Sequence, residues 1–258
     1  MNFALLASGS SGNCIVVSEG ETCILIDAGI SRTQIVERLR GLGITPEHIS
    51  AICLTHDHSD HVGGLHTFLK KYPKPVYATE GTCTATECQL KFEYDRWNVF
   101  ASGNEFRVGT LTLKPFAVPH DAGDPVGFVI RGEEKTLGIV TDLGYVAGMV
   151  KYHLKACDAL IVESNHDREM LMNSTEYPWF VKERILGRCG HLSNEQCGDI
   201  LKELYPGILS TVVLAHISEK SNTPTLARNN AMRVLRERNV ADKVKLHVAT
   251  TEPTGWLA

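Results

Sequence analysis

The stretch Thr55-His56-Asp57-His58-Ser59-Asp60-His61 places three imidazoles and two carboxylates in seven residues, directly after the apolar run Ala51-Ile52-Cys53-Leu54. Neither packing nor solubility calls for that density, whereas a bound cation does. His56 and His58 lie two apart and can face one side of an extended loop. Asp60 and His61 come off the following turn and can face a second position, which gives two offset half-sites. Neutral imidazole with carboxylate suits zinc, manganese or iron(II) and does not build the tetrathiolate cage of a structural zinc site. The bland alternative is a histidine-rich surface loop.

Other residues able to do chemistry are scattered, but their positions share a feature. His56, His120, Asp142 and His216 each fall within a residue or two of the end of an apolar, strand-like run. Loops at one rim of a sheet scaffold can converge on one site even when far apart in sequence. Taken alone, His120 and His216 would read as ordinary hydrogen-bonded histidines. His191 lies upstream of His216, in Gly190-His191-Leu192-Ser193-Asn194. An imidazole there can protonate a departing alkoxide, or can be a helix-entry residue with no chemical task. The loop Ser8-Gly9-Ser10-Ser11-Gly12-Asn13 offers Ser8, Ser10, Ser11 and Asn13 as phosphate-binding donors, or forms a plain tight turn. Asn165 and His166 are candidates for substrate contact or for support of a metal centre, against structural hydrogen bonding. Asp27 is better placed to orient the histidine-rich loop than to touch metal.

The elements that must position these residues can be read in outline. Phe3 to Ala7, Cys14 to Ser18 and Cys23 to Ile26 are strands, and Ser31 with Gln34 has capping-box spacing for a helix that stops at Gly41. His61 to Tyr72 is predicted as one helix and Pro75 to Ala78 as a strand. Phe106 to Phe116 is a strand pair around Gly109-Thr110, and Val126 to Arg131 with Thr136 to Val140 forms a hairpin. A helix then leads to the strand at Ala159. Pro178 to Leu186 is helical, with proline in the first turn. Ser193 with Gln196 repeats the capping-box spacing for a helix ending near Tyr205-Pro206-Gly207. Thr211 to Ala215 is a strand, Thr223-Pro224 opens a helix to about Asn239, and Val244 to Ala249 supplies an edge strand. Strands and helices cluster without strict alternation, so two facing mixed sheets with helices outside, an αββα sandwich of the α/β (α+β) class, fit better than a doubly wound parallel sheet. On the helix at Pro178, an amphipathic reading buries Tyr177, Trp179 and Phe180. The alternative makes them, beside Lys182, Arg184 and Arg188, a stacking and phosphate surface.

Composition narrows the function classes. With 258 residues and 43% hydrophobic content, the chain can bury one large core or two fused sheets. The short apolar start lacks a basic leader, and no run approaches the length that crosses a bilayer, so a soluble, cytoplasmic protein with no membrane partner is expected. The eight cysteines form no Cys-x-x-Cys pair, which argues against a disulfide scaffold. The closest pair, Cys83 and Cys88, reads as small hydrophobes, with a redox or metal element as the alternative. A formal charge of −4 advertises no long nucleic-acid grip, so contact with a polynucleotide would be short and local.

His56-x-His58-x-Asp60-His61 after a short buried strand, continued by Val62-Gly63-Gly64-Leu65, resembles the signature of the metallo-β-lactamase-fold hydrolases. The resemblance implies His56, His58 and His120 on one metal, Asp60, His61 and His216 on a second, and Asp142 bridging. Lactamase-type sites of that fold generally carry cysteine where Asp142 stands, whereas phosphodiesterases, glyoxalases and lactonases carry aspartate. A bridging carboxylate holds two metals about 3.5 to 4 Å apart, the separation that clamps both oxygens of an in-line displacement. The likeness therefore implies a two-metal phosphodiesterase (Zn, Mn or Fe), with Asp60 or Asp142 orienting the attacking water and His191 assisting the leaving oxygen. The Asp142 to His216 spacing leaves no room for the β-CASP-type insert of the RNA-processing branch, so residues 1–258 are read as one domain. The serine loop, Glu163-Ser164-Asn165-His166-Asp167 and Gly190-His191-Leu192-Ser193-Asn194 narrow the likeness to the WalJ/YycJ type of bacterial metallohydrolase. That group is associated with 5′-to-3′ exonuclease action, so the implied partner is a nucleic-acid end, DNA above all. The alternatives are a phosphodiesterase of small cyclic or nucleotide phosphates, which the acidic balance favours modestly, and a non-catalytic metal-binding sensor.

Overall fold

A strand covered on both faces must be apolar along its whole length, and the first strand, β1 (Asn2–Ala7), has this character. Phe3 and Leu5 point into one buried layer while Ala4 and Leu6 point into another. The computed structural model describes residues 1–205 and 207–257. A six-stranded sheet runs in spatial order β1, β2 (Cys14–Glu19), β3 (Thr22–Ile26), β4 (Ala51–Cys53), β5 (Val76–Ala78) and β6 (Trp97–Val99). Its first three strands are antiparallel and the rest parallel. A seven-stranded sheet contains β7 (Phe106–Val108), β8 (Leu111–Ala117), β9 (Val126–Arg131), β10 (Thr136–Val140), β11 (Ala159–Glu163), β12 (Thr211–Ala215) and β13 (Lys245–Val248), in that spatial order. It is antiparallel from β7 to β10 and parallel from β10 to β13.

The two sheets face each other across a layer built from Phe3, Leu5, Ile24 and Ile26 of the first and Phe128, Ile130, Ile139 and Val213 of the second. The outer face of the first sheet is covered by α1 (Arg32–Gly41), together with the short helices α2 (Ser59–Val62) and α3 (Leu65–Leu69). Next along the chain come α4 (Glu80–Leu90), α5 (Gly148–Leu154), α6 (Arg168–Asn173) and α7 (Trp179–Leu186), and then α8 (Asn194–Leu204) and α9 (Pro224–Glu237). Of these, α5, α8 and α9 cover the outer face of the second sheet. The result is the expected αββα sandwich. Both predicted capping boxes form: Ser31 with Gln34 opens α1, and Ser193 with Gln196 opens α8. Helix α8 ends at Leu204 with Tyr205 as its cap, and Pro206 of the predicted end lies outside the described residues. No helix among the described residues is long and apolar enough to cross a membrane.

One expectation changes, and helices α4 and α6 and strand β6 are elements that the sequence pattern did not reveal. The single helix predicted over His61 to Tyr72 is two helices broken at Gly63-Gly64, because the chain there presses against a neighbouring loop. A Cβ on Gly64 would collide with the Ile30 carbonyl oxygen. Helix α4 escaped the pattern because its Thr-rich sequence carries little apolar periodicity. It is started by Thr79, whose hydroxyl accepts from Thr82 N–H, and is held by tertiary contact. Helix α6, opened by Asp167 accepting from Met170 N–H, is too short for a periodic signal.

The same close approach defines the histidine-rich loop. Gly29 follows β3 and lies against the Asp60 carbonyl, where a Cβ would overlap it. Gly29→Ala should cost ~3 kcal/mol through overpacking, and by displacing the Asp60 backbone it should also weaken metal retention. Gly148→Ala, in open space at the start of α5, should leave both unchanged. Thermal unfolding and metal analysis of the two variants check this, and an unperturbed Gly29→Ala protein would contradict it.

Candidate metal centre

The centre is built at the ends of strands on one rim of the two sheets. His56 follows β4, His120 follows β8, Asp142 follows β10, Glu163 ends β11 and His216 follows β12. Asp27, Asp142 and His216 have φ of 62°, 58° and 54°, a left-handed backbone that costs an ordinary residue of order 1–3 kcal/mol. The surroundings hold that geometry. The His216 N–H donates to Ser8 Oγ at 2.8 Å, and the Asp27 N–H donates to the Cys53 carbonyl at 2.9 Å.

Four groups of potential ligand atoms converge: His56, His58 and His120; His56, His61 and Asp142; Asp60, His61 and His216; and Asp142, Glu163, His191 and His216. Each imidazole of the first three is gripped on one nitrogen and turns the other into the cluster. His61 Nδ1 lies 2.8 Å from Asp27 Oδ2, turning Nε2 toward Asp142 at 3.2 Å and Asp60 at 3.4 Å. His216 Nδ1 lies 3.2 Å from Glu163 Oε1, and its Nε2 lies 3.2 Å from Asp60 and 3.4 Å from Asp142. His120 Nδ1 donates to the Gly190 carbonyl at 3.1 Å, leaving Nε2 only 3.2 Å from His58 Nδ1. His58 Nε2 in turn donates to the Asp121 carbonyl at 3.1 Å. His56 Nδ1 bonds Thr55 Oγ1 at 3.0 Å, and its buried Nε2 has no hydrogen-bond partner among the described residues. Buried Asp142 Oδ2 likewise has no hydrogen bond of good geometry, despite its 3.2 Å approach to His61. Two imidazole nitrogens 3.2 Å apart, an orphaned Nε2 and an under-satisfied carboxylate oxygen are the pattern a bound cation would complete. The residues present therefore suit a divalent metal.

The electrostatics agree. Burial alone would push His61 and His216 down, but Asp142 and Asp27 outweigh it at His61, and Asp142, Asp60 and Glu163 outweigh it at His216. His61 stands well above its ordinary value and His216 at about 10. Burial, reinforced by neighbouring imidazoles, pushes His56 well below its ordinary value, and it lowers His120 against the pull of Asp142. Burial also opposes ionisation of Asp60, Asp142 and Glu163, yet the facing imidazoles hold all three low, Glu163 at about 2. The carboxylates around His61 and His216 thus favour positive charge at the same place where a cation would sit.

Several residues singled out from sequence are placed differently from one another. Ser8 and Asn13 are buried and already engaged. Ser8 accepts from His216, and Asn13 Nδ2 reaches Gly9 O, Asp60 Oδ2 and, at 3.0 Å, His61 Nε2. Ser10 and Ser11 are exposed on the same loop. Asn165 Nδ2 donates to the His216 carbonyl at 3.0 Å and fixes that residue. His166 is buried, and neither ring nitrogen has a partner among the described residues. Asp27 accepts from Thr55 N–H and Oγ1, both at 2.8 Å, and ties the histidine-rich loop to β3. None of the cysteines forms a disulfide, and Cys83 is buried while Cys88 is exposed.

Glu163 is the residue that sequence reading passed over. Fully buried, it takes His191 Nδ1 at 2.7 Å on one oxygen and accepts Leu143 N–H and Leu192 N–H on the other. Its signal was available: a carboxylate at the end of an apolar strand, as at Asp142. His191 lies between the halves of the centre, its ring 5.2 Å from both His120 and His216.

A rim of histidines and carboxylates at the strand ends of an αββα sandwich goes with the family to which the sequence is matched. The chain belongs to the beta-lactamase superfamily, whose domain model matches residues 22–217. It is 34% identical to the exodeoxyribonuclease YycJ of Bacillus anthracis, over 98% of this chain and 96% of that one. It is 32% identical to the exodeoxyribonuclease WalJ of Streptococcus pneumoniae, over 97% and 94%. Among solved structures, the metallo-beta-lactamase fold protein YhfI of Bacillus subtilis matches at TM-score 0.74 and 16% identity, covering 100% of this chain and 99% of that one. The family expected from the histidine motif is thus the family found.

Because the surrounding carboxylates raise the proton affinity of His61 and His216, metal competes with protons for these nitrogens, and apparent affinity must rise with pH. Calorimetric titration with zinc at pH 7, in buffers of different protonation heat, should register release of about two protons per chain. Loading without proton release would contradict the charge balance described here.

Proposed function

We propose that the protein is a metal-dependent phosphodiesterase, a 5′-to-3′ exonuclease acting on DNA ends, with two divalent cations (Zn, Mn or Fe) at the rim. The observation that carries this reading is the set of five imidazoles gripped outside and open inside around Asp142, with His191 between the halves. Near full-length similarity to chains named exodeoxyribonucleases supports it. Residues 1–258 act as one domain in this reading, since the layer between the sheets draws on both halves of the sequence.

His56, His58 and His120 would hold one cation, Asp60, His61 and His216 the other, and Asp142 would serve both. When bound, such cations supply Lewis-acid stabilisation of charge on phosphoryl oxygens and lower the pKa of water. Asp60 Oδ2, 3.1 Å from Asn13 Nδ2 and 3.2 Å from His216 Nε2, is held in place to orient an attacking water. Glu163 fixes the His191 ring through Nδ1, so that Nε2, with no partner among the described residues, faces away from that carboxylate. From there it can deliver a proton to the departing oxygen, the step that lets an alkoxide leave. Asp27 holds the His61 side chain, and Ser8 and Asn165 hold the backbone of His216.

His191→Ala should lower kcat about a hundred- to ten-thousand-fold, the range for loss of a positioned acid, while metal content stays full. Asp60→Ala should abolish or sharply reduce turnover, and chelation should abolish it in the parent protein. End-labelled single- and double-stranded DNA, RNA and a small diester, offered to metal-loaded protein, decide the substrate. Mononucleotide release from the 5′ end of DNA is expected. Cleavage of the small diester alone would give the site to small phosphodiesters, and full hydrolysis by metal-loaded Asp60→Ala would remove that residue's role.

A further inference from the structure

Helix α7 does not bury its aromatics, contrary to the amphipathic expectation. Trp179 is 58% and Phe180 71% exposed, while Lys182 is buried and donates Nζ to the Met172 carbonyl at 2.7 Å. The inward side of the helix carries the lysine stem, and the outward side carries the two largest rings, an inversion with no folding benefit.

The position of the helix explains what such rings could meet. Tyr177, just before its start, places its hydroxyl 3.5 Å from Ser218 Oγ, two residues past His216. At the other end, Arg184 pairs with Asp121 at 2.5 Å, and Asp121 also approaches His58 and His120. The Ile185 carbonyl accepts the His191 N–H at 2.9 Å. An eight-residue helix rises about 12 Å, so the segment from Tyr177 to Arg184 reaches from the loop after His216 to Asp121, which approaches His58 and His120. Its chain continues directly into the residue assigned to the leaving oxygen. Cations bracket it: Lys220 lies over the Tyr177 ring, Arg188 over Tyr145, and Arg184 is itself more than half exposed.

We propose that Trp179 and Phe180 form a stacking platform for the unpaired bases of a polynucleotide whose terminal phosphodiester lies at the metal centre. The proposal rests on the exonuclease reading and deepens it by naming the surface that grips the bases next to the reacting end. Stacking suits this task because every base offers a π-face, so two rings grip any sequence. A short platform beside the cations also needs no extended basic surface, as a chain of net charge −4 requires.

The test uses the metal-loaded full chain, with single-stranded DNA labelled at its 5′ end and bis(p-nitrophenyl) phosphate as the small diester. In the double variant Trp179→Ala with Phe180→Ala, KM for the DNA should rise about ten- to a hundred-fold with kcat retained. The ratio of kcat/KM for DNA to that for the small diester should fall by the same factor. Trp179→Phe with Phe180→Tyr should restore it, which separates loss of stacking from loss of fold. A parent that digests DNA, with KM unchanged in the double variant, overturns the platform alone. So does a variant that loses only a parental dimer, measured by light scattering, with KM unchanged. A parent that hydrolyses no polynucleotide overturns the proposed function, and the platform with it.

Discussion

Asp142 is a fully buried carboxylate that the protein leaves short of hydrogen bonds and surrounds with imidazoles. Its Oδ2 lies 3.2 Å from His61 and its Oδ1 3.4 Å from His216 and 3.6 Å from His191. Removing an ion from water costs several kcal/mol unless opposite charge compensates it. Neighbouring protons supply that charge in the metal-free chain, and divalent cations would supply more. Asp60 and Glu163 add two further carboxylates to the same small volume. Such a cluster holds together only around positive charge, and the rest of the rim is arranged to make the cluster stay.

That arrangement comes from elements distant in sequence. Asp27 from the end of β3 holds His61, Glu163 from β11 holds His191 and His216, and the Gly190 carbonyl holds His120. Fixing one ring nitrogen directs the other and sets the orientation in which a ligand can coordinate. The left-handed residues at Asp27, Asp142 and His216 are the cost of turning the chain at strand ends so that these side chains reach inward. The sheets repay it: their strand ends are immobilised by the layers on both faces, so the loops inherit a rigid base.

Much of this was legible in the sequence, and what was not has a physical explanation. Most strands were clear because those buried on both faces are continuous apolar runs, whereas the largely exposed edge strand β6 gave no such run; the α1 and α8 starts were clear because their capping boxes are local chemistry. Ligand candidates were legible as polar residues stranded at the ends of apolar runs. Glu163 fitted that rule and was missed, because a single acid before Ser-Asn-His looks like any polar loop until His191 and His216 are brought to it by α8 and β12. The break at Gly63-Gly64 depends on the Ile30 carbonyl, more than thirty residues away, which no local pattern encodes. The exposed aromatics of α7 reversed a sound inference, since amphipathicity says which residues can be buried but not which face the body of the protein receives.

The acidic balance of the chain bears on how a polynucleotide could be bound under the proposed function. Affinity for a long duplex grows with the number of phosphates neutralised, and it falls with salt accordingly. A surface with 26 basic and 30 acidic residues makes few such contacts. Under the proposed function the steepest positive field lies at the rim, where two cations would contribute about four charges within a few ångströms. A field that steep attracts one or two phosphates and fades within a Debye length of about 8 Å. It therefore acts on the one diester seated at the cations, and contact with the rest of a strand is left to the few side-chain cations near α7, Arg184, Arg188 and Lys220.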